Sequence, residues 1–174
     1  MIQKKTISLV VNGKVHRSAA VPGISLASFL HENLGLTGTK VACAMGICKA
    51  CTVALQDEKN HSLFRVQACI TPVESVNGRT LLTVEGVEFE SRFKPLQDAF
   101  LKHFSFQCGY CTPGFLLGAC ILMDRLRLNP IKEAQLDQLI LESVGEHICR
   151  CTGYARYYSA IRAVVLKTPG LILS

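Results

Sequence analysis

The sequence has no tryptophan, few aromatics (7%) and no block of basic residues. Its 19 Lys and Arg against 13 Asp and Glu leave a formal net charge of +6, but the basic positions are scattered. Scattered charge without aromatic interleaving argues against a nucleic-acid surface, so no nucleic-acid partner is expected. The charge reads instead as a solvated surface suited to an acidic partner. Long hydrophobic runs are also missing. The longest, Phe115 to Met123, is about half of what a helix needs to cross a bilayer, so no direct membrane span is expected. The opening "MIQKKTISLVVNGK" has lysines before apolar residues, but the apolar part is short, leads into a turn and follows no twin arginine. It reads as a strand and not as a secretory signal. The default localisation is therefore cytoplasmic, with a periplasmic or membrane-associated position open only through partner subunits.

Cysteine is what the chain has in excess, with nine in 174 residues. The number is odd, and a chain that is 49% hydrophobic can bury a core without disulfide staples. Metal ligation is the better reading.

Two halves of different character are visible. Thr6 to Val11 and Lys14 to Ala20 are β-rich and joined by Asn12–Gly13, a strong hairpin signal. Ser25 caps a helix with Leu26, Phe29 and Leu30 on one face. Further strands are expected at Thr52–Leu55, Leu63–Ala68 and Thr80–Val84. Beyond "EGVEFESRFKP" the pattern turns helical. Helices are expected over Pro95–His103 and Pro113–Leu126, then along Leu136, Leu139, Ile140 and Val144 up to Gly145, and around Ile161, Val164 and Val165. The fold class is α+β. The domains run 1–84, with 85–93 as linker, and 94–174 including a tail, "TPGLILS", of no legible role.

Each half carries four clustered thiols. Cys43, Cys48 and Cys51 form a C-x4-C-x2-C run, completed by Cys69. That is the plant-type [2Fe–2S] spacing. Gly35, Gly38 and Gly46 give the loop the backbone freedom to wrap its sulfurs around a cluster. A four-cysteine zinc site favours two separated knuckles, which this three-plus-one layout is not. Cys108–Cys111 and Cys149–Cys151 form the second set, each pair followed by a helix start. Thr112 and Thr152 are the expected caps and Pro113 suits a first turn, so two positive helix ends would face a negatively charged cluster. Cys120, within "LLGACILM", is expected as a buried core thiol. His103 and His147 lie near the second set and read as ordinary helix or loop residues, with a hydrogen bond from His147 to a sulfur as the alternative.

Taken together, "LGLTGTK", the C-x4-C-x2-CTV run, "QCGYCTPG" and "CRCTGY" resemble the small iron–sulfur subunit of the xanthine oxidase, or molybdenum hydroxylase, family from about residue 4 to 165. The resemblance implies an N-terminal ferredoxin-like β-grasp domain and an all-α four-helix domain, each with one [2Fe–2S] cluster. Cys43, Cys48, Cys51 and Cys69 would hold the outer cluster, and Cys108, Cys111, Cys149 and Cys151 the inner one. Gln107 and Cys151 match the positions that contact a molybdopterin cofactor held by a large partner subunit. The implied function is electron transfer from that site, where aldehydes or N-heterocycles are oxidised, to an acceptor such as a FAD subunit, a cytochrome c subunit or a quinone-linked partner. On this reading the chain has no catalytic residue of its own. The departures are Ala42, Ala44 and Lys49 where family loops place glycine, Met45 where they are commonly acidic or polar, a longer Cys51–Cys69 stretch, and "GEHICRC" where the family usually has "GNLCRC". The rival readings are a stand-alone plant-type ferredoxin with a helical extension and a structural double-zinc interaction module.

Overall fold

The computed structural model describes residues 3–173. Strands β1 (Lys5–Val11) and β2 (Lys14–Ala20) form an antiparallel hairpin. Its two turn residues, Asn12 and Gly13, both take positive φ, 53° and 76°, as a two-residue turn matched to strand twist requires. The Asn12 side chain also accepts the Thr83 N–H and donates to the Thr83 hydroxyl, both at 2.9 Å. This pins the hairpin to a distant segment.

The short helix α1 (Leu26–Ser28) runs on as a wider turn over Phe29–Asn33. The Ser25 hydroxyl accepts the Ser28 N–H at 3.1 Å and caps it. Leu26, Phe29 and Leu30 are buried against the sheet. Strands β3 (Thr52–Gln56), β4 (Leu63–Gln67) and β5 (Thr80–Leu82) complete a sheet of order β2-β1-β5-β3-β4. The β1–β5 pair is parallel and the other pairs are antiparallel. The last of these strands stops at Leu82, short of the expected Val84. Asn12 takes the Thr83 N–H, and the chain then coils into a 3-10 helix over Val84–Phe89.

The second half carries α2 (Lys94–Lys102), α3 (Thr112–Leu128), α4 (Leu136–Val144) and α5 (Ala155–Lys167). α3 lies across the sheet. Consequently β3 is covered on both sides: Val53 and Leu55 face the core under α1, while Ala54 belongs to the helical core. Val87 and Phe93, from the segment read as a linker, are fully buried in that helical core. The C-terminal segment is also built in. Leu171 is buried, and β7 (Ile172–Leu173) pairs in parallel with β6 (Ile131–Lys132). Asp124 on α3 accepts from Arg92 at 2.7 Å and from the Leu63 N–H at 2.8 Å, tying the helix to the connecting segment and to β4.

Candidate metal centres

The loop between α1 and β3 brings the first thiols together. Its backbone turns through positive φ at Ala44 (53°), Gly46 (71°) and Lys49 (59°). Ala44 and Lys49 thus keep a conformation that suits glycine, at a cost of roughly 1–2 kcal/mol each. The turn directs the N–H groups of Met45 and Cys48 at the Cys43 sulfur, both at 3.4 Å. These two backbone donors, Cys48 first, lower the Cys43 thiol to about 6, so it is largely a thiolate at neutral pH. Cys48 is also side-chain partner to Cys43. Cys51 opens β3 and is buried. Cys69 reaches it from the end of β4, where the Ala68 N–H bonds the Cys51 carbonyl at 3.1 Å. Burial pushes the Cys51 thiol up to about 12, and the neighbouring Cys69 and Cys48 thiols add to the rise. Such a thiol carries charge only when a cation shares it, which is the chemistry of a metal ligand.

The second set lies where α3 and α5 begin. Cys108 and Cys151 are exposed, with their sulfurs 3.6 Å apart. Cys111 and Cys149 are the inner pair, and their side chains are neighbours. Burial pushes Cys111 up to about 11, offset in part by the Tyr157 hydroxyl 3.6 Å from its sulfur. Cys149 lies below the ordinary thiol range. Burial acts to raise it, but it is outweighed by hydrogen bonds from the Thr152 hydroxyl (3.2 Å) and backbone, the Cys111 side chain and the Cys151 backbone.

Among the described residues no three His, Cys, Asp or Glu side chains are placed to hold one metal ion. The thiols pair off instead, Cys43 with Cys48, Cys51 with Cys69, Cys108 with Cys151 and Cys111 with Cys149. Two thiolates per metal across a binuclear centre is the donor set of a [2Fe–2S] cluster, and both sets fit it.

The two sets are joined directly. The Ile148 N–H donates to the Cys48 carbonyl at 3.1 Å, linking a residue beside Cys149 to a thiol of the first set. A Cβ on Gly114, in the first turn of α3, would stand 2.4 Å from the Lys49 carbonyl and 3.1 Å from the Ala50 Cα, so only glycine permits this approach. The Tyr110 hydroxyl donates to the Val41 carbonyl at 2.7 Å. Glu146 bridges Arg65 (2.8 Å) and Lys49 (3.6 Å).

Several expected details come out differently. Neither threonine caps its helix. Thr112 bonds Tyr157 at 2.8 Å and Thr152 bonds the Cys149 sulfur. α3 still begins directly after Cys111, whereas α5 starts only at Ala155, after Gly153 and Tyr154 at positive φ. Among the described residues His147 bonds no sulfur, which agrees with its reading as an ordinary residue. Its Nδ1 faces the Val144 carbonyl (3.1 Å) and its Nε2 the Thr52 hydroxyl (3.4 Å), and burial lowers it to about 4. Gly38 serves close approach more than backbone freedom, since a Cβ there would meet Val84 at 2.4 Å. Cys120 is a fully buried core residue, as expected. Gln107 is exposed beside Cys108. The sequence reading passed over Tyr157, Ile148 and Glu146. All three lie near the CRCTGY motif, Ile148 directly before Cys149, Glu146 three residues before it and Tyr157 six residues past Cys151, but nothing in their own residue type marks the distant partner each one meets.

A mixed five-stranded sheet with one set of four thiols, packed on a helical unit with another, is the arrangement of a protein with two [2Fe–2S] domains. The family model described as "2Fe-2S iron-sulfur cluster binding domain" matches residues 9–74, and that described as "[2Fe-2S] binding domain" matches 83–162. Among similar proteins is the nicotinate dehydrogenase small FeS subunit of Eubacterium barkeri, 35% identical over 94% of this chain and 97% of its own length. The nicotine 6-hydroxylase small subunit of Paenarthrobacter nicotinovorans is 35% identical over 95% and 90%. Aldehyde oxidase 2 of Rattus norvegicus is 36% identical over 95% of this chain, which spans only 12% of that protein. Among solved structures, a chain of quinoline 2-oxidoreductase from Pseudomonas putida 86 superposes with a TM-score of 0.79 at 32% identity, covering 97% of this chain and 94% of that one. The chain belongs to the small iron–sulfur subunits of the molybdenum hydroxylase family. Its role is redox, as an electron-transferring iron–sulfur protein, and relatives of its own length are named as small subunits. Among the described residues no helix is long and apolar enough to cross a membrane.

Proposed function

We propose that this chain is the electron-transfer subunit of a molybdenum hydroxylase. Its inner thiols would lie toward a molybdopterin cofactor on the larger subunit and its outer thiols toward the acceptor. The observation that carries this reading is the direct link between the two thiol sets, Cys48 C=O to Ile148 N–H to Cys149. A [2Fe–2S] centre, when bound, takes up and gives back one electron. The protein's part is to hold, bury and connect the two centres. Cys43, Cys48, Cys51 and Cys69 would hold the outer one, and Cys108, Cys111, Cys149 and Cys151 the inner one. Backbone N–H groups of Met45 and Cys48 and the hydroxyls of Tyr157 and Thr152 supply hydrogen bonds to the sulfurs. Such bonds stabilise added negative charge. The exposure of Gln107, Cys108 and Cys151 on one side supports their meeting a cofactor held by another chain.

The reaction of the complex would be oxidation of an aldehyde or an N-heterocycle at a site outside this chain. N-heteroaromatic substrates are favoured because relatives of matching length are named for nicotinate, nicotine and quinoline. A flavin subunit, a cytochrome or a quinone-linked partner would accept the electrons. The test is iron and sulfide analysis with electron paramagnetic resonance of the reduced protein. About four irons per chain and two distinct signals are expected. One signal, about two irons, or zinc in their place would defeat the reading.

A further inference from the structure

The side of the molecule that carries the exposed thiols continues into a groove of about 270 Å³ between α2 and the first turn of α3. Its walls are apolar: Val84, Phe100, Leu101, Phe106, Pro113 and Leu116. Gly109, inside the Cys108–Cys111 pair, and Thr112, directly after it, line it too. Gln97 also faces this groove, and its Oε1 is buried with no hydrogen-bond partner among the described residues. An unpaired buried amide oxygen is costly, so native proteins rarely keep one without a use for it. On the groove wall Leu101 is 58% exposed; Phe104, in the turn that follows α2 and three residues on, is 72% exposed at a φ of 49°. A bulky aromatic held in the left-handed region and in water is doubly unfavourable in the isolated chain.

We infer that this groove is a socket for the larger partner subunit, receiving an apolar side chain with an N–H or O–H at its tip, an indole or a phenol, that donates to Gln97 Oε1. Two observations select this occupant. The groove shares Gly109 and Thr112 with the turn that presents Cys108, so a body that covers the exposed thiols covers the groove as well. In relatives such as aldehyde oxidase 2 and the aldehyde oxidoreductase of Desulfovibrio desulfuricans, this fold is 12% and 18% of a longer chain, so a large body is attached to it there. The inference rests on the proposed function, because it takes the inner thiol face as the one that meets the larger subunit.

The test uses the native complex, purified through a tag on this chain and shown to contain molybdenum. A photoreactive p-benzoylphenylalanine in place of Leu101 should crosslink on irradiation to a peptide of the larger chain. Gln97→Leu, with both clusters retained by visible absorption, should leave the chain alone no less resistant to unfolding, since it removes an unpaired acceptor. The same change should loosen the complex by about tenfold. A purely structural glutamine would behave the other way, losing stability and leaving association unchanged, and that result overturns the proposal. It is also overturned if Leu101 crosslinks only to a second copy of this chain, or to nothing, while the same photoprobe at Gln107 reaches the larger chain; the functional reading then stands. If neither position reaches a larger chain and no molybdenum copurifies, the functional reading falls and the socket with it.

Discussion

The Ile148 backbone N–H lies 3.1 Å from the Cys48 carbonyl oxygen. That one hydrogen bond joins two segments a hundred residues apart, each carrying a thiol from a different set. It makes the junction between the two domains part of the proposed redox path as well as a packing surface. The same junction is held by Gly114, whose lack of a side chain lets α3 lie on the Lys49–Ala50 backbone.

Gly114→Ala should therefore separate the two thiol sets. A methyl group 2.4 Å from a carbonyl oxygen has nowhere to go without movement of backbone on one side. Overpacking of this kind costs about 1–3 kcal/mol. The expected result is a protein that keeps both clusters and their potentials but shows weaker magnetic coupling between them and slower electron passage in the intact complex. Unchanged coupling in the reduced protein would show that the junction yields elsewhere and that Gly114 does not set the spacing.

Tyr157 is fully buried, lies parallel to Phe115 at 4.1 Å, and bonds both Thr112 and the Cys111 sulfur. A chain of donors from Thr112 to Tyr157 to the sulfur satisfies every hydroxyl. Reduction adds negative charge, which a donor to sulfur stabilises, so Tyr157→Phe should lower the potential of the inner cluster by tens of millivolts, with 30 mV for one electron equivalent to about 0.7 kcal/mol. Redox titration followed by electron paramagnetic resonance separates the two signals, and the outer one should not move. The packing partners of the ring are kept in this variant, so a large loss of stability would point to a structural role instead.

Much of this architecture is legible in the sequence where the signal is local. Asn12–Gly13 marks its turn because two adjacent residues decide positive φ, and Ser25 marks a helix start because its hydroxyl reaches three residues on. The apolar spacing of Leu136, Leu139, Ile140 and Val144 places α4 to the residue. The thiol sets are legible because cluster ligation fixes their spacing. What fails is whatever depends on a distant partner. Thr112 and Thr152 look like caps, but one is claimed by a tyrosine 45 residues away and the other by a sulfur. Thr80–Val84 reads as a strand throughout, yet the side chain of Asn12 ends it at Leu82. The tail has no period to read. It is two residues of strand, and its order comes from β6 and from the buried Leu171.

Asp124 is the anchor between the halves. It is 6% exposed and bonded to Arg92 and to the Leu63 N–H. Asp124→Ala leaves the Leu63 N–H without its acceptor and Arg92 paired with Glu90 alone, at a cost of about 1–3 kcal/mol. Cluster loss makes unfolding irreversible, so the suitable measure is the rate at which visible absorption bleaches in urea. Bleaching should be markedly faster than in the parent protein. Lys94→Ala, which removes only an exposed i,i+4 pair with Asp98, should change it little.

Lys49 stands between two candidate ligands in a position that suits glycine, and its ammonium is not free in solvent. It donates to the Gly46 carbonyl at 3.0 Å, lies 3.6 Å from Glu146, and its side chain is only 18% exposed. Glu146, 60% exposed, also pairs with Arg65. Two cations and one carboxylate thus sit beside the outer thiols, with the carboxylate the member most open to screening. A cation favours the reduced, more negative cluster and raises its potential. A unit charge about 8 Å away contributes roughly 0.5–2 kcal/mol between water-like and surface-like dielectric, on the order of 20–90 mV for one electron. Lys49→Gly should lower the outer potential and at the same time relieve the backbone at a φ of 59°. Glu146→Gln should raise it, because it leaves both cations uncompensated while preserving the shape of the junction. The inner potential should stay where it is in both variants. Potentiometric titration at low salt gives both signs in one experiment. If the two variants shift the outer potential in the same direction, the charges act through loop geometry and not through their field, and Lys49 is held by the Gly46 carbonyl for structure alone.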